Sequence, residues 1–188
     1  MSWEDALGGV LKKYTSGSGA VAQPAPALNQ QQINQQQMNE QEVNGHFDQV
    51  SQSAPPNVMA QGLAAAFRSD ATPAFAQMLS TLFRNSNSDQ KAGLLNHLLS
   101  SLPPGSLAQI FSGTSLAGLS GASAKVTPQQ AEQVSPEAVQ QIGANAEKSN
   151  PSIVDSVSDF YAQHSTLVKT LGAAALAIAL RKVAEGRR

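Results

Sequence analysis

Four times along this chain a residue able to cap a helix stands directly before proline: Thr72-Pro73, Thr127-Pro128, Ser135-Pro136 and Asn150-Pro151. Proline suits the first turn of a helix, where its missing N–H would bond nothing, and it disrupts a helix interior. These pairs therefore mark helix starts. Between them apolar residues recur at three- and four-residue spacing, the period of a helix face, and no strand pattern exceeds three or four residues. Aromatic residues make up 5% of the chain and charged residues 13%, a poor supply for an all-β domain. The expected fold class is all-α: two small helical units joined by disordered Gly/Ser/Pro and Gln-rich linkers, ending in a C-terminal helical hairpin.

Residues 1–14 read as a short amphipathic helix. Ser2 and Asp5 have capping-box spacing, and Trp3, Leu7, Val10, Leu11 and Tyr14 share one face. A helix this short is marginal alone, so that face should dock, in the core or on a partner. Trp3, Leu7 and Leu11 are candidate interaction residues on that ground. Residues 15–40 read as a linker. Thr15–Ala27 is rich in Gly, Ser and Pro, and Asn29–Asn39 is nearly all Gln and Asn. Disorder through about residue 40 is expected, with a solvated helix leading into the next segment as the other reading.

Residues 41–111 form the first expected helical unit. Val43, Phe47 and Val50 mark one helix, stopped at Pro55-Pro56, and Val58–Phe67 marks a second. Thr72-Pro73 opens a third, with Phe75, Met78, Leu79, Leu82 and Phe83 on its face. Ser88 is expected to cap a fourth, carrying Leu94, Leu95, Leu98 and Leu99. Phe83 and Leu95 sit at the centres of these faces and should be core. Residues 112–126 are a Gly/Ser linker and the expected boundary.

Residues 127–188 form the second expected unit. Its most apolar stretch is Leu167–Ala184, read as one helix. The uncharged run within it, Thr170–Leu180, is 11 residues and spans about 16 Å, short of a hydrocarbon core of about 30 Å. Its small residues permit close backbone approach. The expected arrangement is a hairpin of residues 151–163 on 166–184. Leu171, Ala175 and Ile178 would then meet Val157 and Phe160, or the same helix in a second subunit. Phe160, Leu171, Ala175 and Ile178 are therefore interaction candidates.

Several chemistries find no support in the pattern. Without cysteine there is no disulfide framework and no thiolate nucleophile or ligand. His46, His97 and His164 lack metal-helix spacing. Gly17-Ser18-Gly19-Ala20-Val21-Ala22 fits a dinucleotide-loop pattern but has no strand before it and Pro24 soon after. Gly118-Leu119-Ser120-Gly121-Ala122 is not a nucleophile elbow. No cofactor or metal is expected. Residues 1–168 carry 7 basic and 12 acidic side chains, and residues 169–188 carry 5 and 1. That asymmetry is too small for nucleic-acid binding, although the basic end suits weak contact with an anionic membrane surface. An acidic start with no long apolar run after it reads as cytoplasmic, a peripheral or inner-membrane-inserted location being the alternative.

The segments Phe47-Asp48-Gln49-Val50, Ala66-Phe67-Arg68-Ser69-Asp70, Phe160-Tyr161-Ala162-Gln163-His164 and Leu171-Gly172-Ala173-Ala174-Ala175-Leu176 resemble the YidB-like domains of unknown function. The resemblance covers roughly residues 41–111 and 127–184. It implies a small bacterial helical protein, cytosolic or envelope-associated, and carries no catalytic residues with it. The function expected from the sequence is a non-enzymatic interaction or structural protein whose partner is itself or another protein. The alternatives are a membrane-associated protein held by the Ala-rich helix, and an enzyme built on His97 or His164 with a carboxylate brought near by folding.

Overall fold

A computed structural model describes residues 8–10, 12, 14, 30–102 and 125–186. It is all-α. Among the described residues the helices are α1 (Gln30–Ser53), α2 (Pro56–Phe67), α3 (Phe75–Asn85), α4 (Ser88–Ser100), α5 (Pro128–Glu132), α6 (Pro136–Ser149), α7 (Ile153–Ala162), α8 (Ser165–Val168) and α9 (Ala173–Glu185). A 3-10 turn, Lys169–Leu171, lies between α8 and α9. Residues 8–10, 12 and 14 are also helical.

The helices group into two compact units. One is discontinuous in sequence, Met1–Thr72 with Tyr161–Arg188; the other is Pro73–Phe160. The expected division at 41–111 and 127–188 follows the Gly/Ser run, whereas packing groups residues 1–72 with the C-terminal segment. The linker of residues 112–124 lies outside the described residues.

In the discontinuous unit, α9 packs chiefly on α2 and also on α1. The buried side of α9 is Ala175, Leu176, Ala179, Leu180, Val183 and Ala184, two residues per turn on one stripe. Facing it, α2 buries Met59, Leu63 and Phe67, and α1 buries Phe47 and Val50. The two helices α2 and α9 approach closely at Gly62. A Cβ there would lie 2.7 Å from the Ala179 carbonyl oxygen and 2.9 Å from Val183 Cγ2, so hydrogen is the side chain that fits.

This packing corrects the hairpin expectation. The neighbours of α9 within its unit are α2 and α1, while Val157 and Phe160 belong to the other unit. Nor is residues 166–184 one helix. Gly172, at φ 87° and ψ 166°, separates the 3-10 turn from α9. The Gln/Asn run falls in the first part of α1, which opens at Gln30, as in the solvated-helix reading of that segment. Glutamine is a good helix former, and a helix already anchored by Phe47 and Val50 extends N-terminally without a new nucleation step.

In the contiguous unit, α3 packs on α6, and α4 packs on α5 and α6. Phe83 and Leu95 are buried, as their positions on apolar faces require. The helix starts are local. Thr127 accepts from the Gln130 N–H and Gln130 Oε1 accepts from the Thr127 N–H, a complete capping box before Pro128. Ser135 accepts from the Ala138 N–H before Pro136. Two expected caps are replaced. The cap of α4 is Asn87, in a capping box with Gln90, not Ser88, whose hydroxyl instead donates to Glu132. Thr72 does not cap α3. Its hydroxyl donates backwards to the carbonyls of Ala66 at 2.7 Å and Ser69 at 2.8 Å, where it closes the end of α2.

Candidate functional site

The interaction candidates fall in three places. Trp3, Leu7 and Leu11 lie outside the described residues. Phe160 is partly exposed on α7, and Gly93 is close beneath it: a Cβ on Gly93 would come within 3.0 Å of the Phe160 ring. His97 lies beside the same ring, with centroids 5.6 Å apart. Leu171, Ala175 and Ile178 belong to the C-terminal segment. Ala175 is buried in the α2-facing stripe, while Leu171 and Ile178 remain partly exposed.

On α9, Ala174, Ala177 and Ile178 share the side turned away from the buried stripe, and all three are partly exposed. Arg181 and Glu185 continue that side into the last turn, where Arg181 Nε donates to Glu185 Oε1 at 3.1 Å. Lys182 Nζ reaches the other Glu185 oxygen at 3.7 Å. The apolar part of this outer strip is therefore confined to the first two turns, and a paired charge cluster closes its C-terminal end.

Two polar contacts fix the surroundings. Lys169 Nζ meets Asp48 at 2.9 Å and 3.0 Å to its two carboxylate oxygens, which ties the 3-10 turn to α1. Tyr14 is buried, its hydroxyl 3.0 Å from His46 Nδ1 and its ring edge-on to the imidazole. Burial, with the Glu42 carboxylate nearby, pushes the Tyr14 phenol up to about 12 from 10.0. The phenol thus stays protonated near neutral pH, within hydrogen-bond distance of His46 Nδ1. Because the folded pKa is the higher one, the stabilisation from this phenol is complete below pH 10.0 and is lost as pH rises toward about 12.

Among the described residues no group of three or more His, Asp or Glu side chains is placed to hold a metal ion. His97 faces solvent and pairs with an aromatic ring. Among the same residues no helix is long and apolar enough to cross a membrane. Sequence patterns give no sign of the Asp48–Lys169 and Tyr14–His46 pairs, whose members are 121 and 32 residues apart. No local spacing encodes such a pairing. No family model matches the chain, and no curated protein or solved structure matches it.

Proposed function

We propose that this protein is a non-enzymatic helical interaction protein that associates with copies of itself. The observation that carries the reading is the outer strip of α9. A helix whose inner stripe already completes one core leaves Ala174, Ala177 and Ile178 partly exposed on the opposite side. Small side chains there allow a second helix to approach closely, and Ile178 supplies the apolar contact. An isolated exposed apolar residue is ordinary, whereas several along one helix side suit an interface.

A peripheral membrane role has weaker support. Arg181 and Lys182 both engage Glu185, so the net positive charge that this side offers to anionic headgroups is reduced. The test is light scattering on the full chain across the micromolar range, with Ile178→Asp beside it. Concentration-dependent growth in mass that Ile178→Asp weakens supports the reading. A strict monomer at the highest concentration defeats it.

A further inference from the structure

The C-terminal segment and its backbone disagree at one residue. Ser165–Glu185 has the composition of a single helix, with no proline and an Ala/Leu-rich second half. The chain instead runs α8, a 3-10 turn, Gly172 and then α9. Gly172 carries the one positive φ among the described residues, 87°, and with ψ 166° it lies in a region that glycine alone enters readily. Nothing lies within 4 Å of the position a Cβ would take, so no steric clash at that position makes glycine necessary. What holds the break is the placement of the two flanks. Upstream, Lys169 is tied to Asp48 and Val168 is buried. Downstream, α9 fills the groove of α2 and α1, with Ala179 against Gly62.

Glycine also adopts helical angles without strain. If Gly172 does so, Ser165–Glu185 becomes one helix of 21 residues, about 31 Å long. With its upstream end still tied to α1, that helix carries α9 out of its own groove. The same groove in a second copy offers α9 identical packing: the same stripe, the same glycine notch and the same apolar floor. We infer that this chain self-associates by exchanging α9 between two copies, with Gly172 as the hinge. Such an exchange needs no new surface, because α9 packs on α2 and α1 of the second copy in the way it packs on its own. This inference rests on the self-association proposed above and adds to it a second contact, through the inner stripe of α9, while the exchanged helix still presents Ala174, Ala177 and Ile178 on its outer side.

Gly172→Ala separates the two states. Alanine is strained at φ 87° and favoured in a continuous helix, so the variant penalises the closed chain and assists the exchanged one. The dimer dissociation constant, measured by light scattering on the full chain, should fall about tenfold or more. An unchanged or higher constant for a variant of native helical content overturns the hinge. The unmodified protein gives a second readout, independent of whether Gly172→Ala folds. In a dimer reassembled from isotope-labelled and unlabelled chains, magnetisation transfer between Gly62 and the Val183 methyls should pass between differently labelled chains. Transfer confined within chains, in a sample that is dimeric by mass, overturns the exchange and leaves self-association standing. A monomer at every concentration, for both chains, overturns both.

Discussion

In the unit of residues 73–160, α3 opens without a side-chain cap, but α4, α5 and α6 each open on one, from Asn87, Thr127 and Ser135. In the unit of residues 1–72 and 161–188, α2, α8 and α9 open without one. The first set of boundaries is written into adjacent residues and needs no distant contact. The second depends on packing between segments far apart in sequence, with Lys169 held to Asp48 across 121 positions. A unit assembled from both ends of the chain also bears a larger loop-closure cost and is completed only when its last segment arrives. The contiguous unit should therefore respond to local substitutions, and the discontinuous unit to substitutions that alter the fit of α9.

The largest effect should come from Leu95→Ala in the contiguous unit. Leu95 has no exposed surface, so truncation should cost about 2–5 kcal/mol by chemical denaturation. Amide exchange should show protection lost in α3–α6 and retained in α2 and α9. Simultaneous loss everywhere would show that the two units do not unfold separately.

Gly62→Leu is the matching test of the discontinuous unit. Its side chain would enter the space of the Ala179 carbonyl and Val183, and overpacking of this kind costs about 1–3 kcal/mol. Exchange should accelerate in α2 and α9 first. A neutral result would mean that the α2–α9 approach relaxes easily, and that the fit of α9 does not govern the discontinuous unit.

Asn87→Ala removes a complete capping box and should cost about 1 kcal/mol, read as a shift in the denaturation midpoint of the 73–160 unit alone. Asp48→Asn should have the smallest effect. The pair is partly solvent-exposed, so its loss should cost below about 1 kcal/mol and less still in high salt. A larger, salt-independent loss would mean that this single pair fixes the 3-10 turn in place.

Much of the contiguous unit is legible in the primary sequence because its signals are short-range. Phe83 and Leu95 stand at the centres of apolar faces, and Thr127 and Ser135 cap the helices their prolines announce. The misreadings have physical causes. Ser88 and Asn87 are adjacent capping residues, and the reciprocal bond with Gln90 selects Asn87. Thr72 has the sequence of a cap, but its hydroxyl finds two carbonyls at the end of α2. The outer strip of α9 is half legible. Ile178 is an interaction candidate by its spacing and stays partly exposed, while Ala175, expected beside it at an interface, lies in the buried stripe.

Residue order along the chain is enough to make it helical, to start α4, α5 and α6 and to give the longer helices an apolar side. Those properties follow from the φ of proline, the reach of a capping side chain and the 3.6-residue period, all of which act within one or two turns. Three features arise only in the folded molecule: α9 packs on α2 and α1, the chain breaks at Gly172, and Asp48 meets Lys169. An apolar stripe specifies that a helix must be covered and leaves open which helix covers it. That choice falls to shape, and here the shape is a glycine notch at residue 62 that admits the backbone at Ala179.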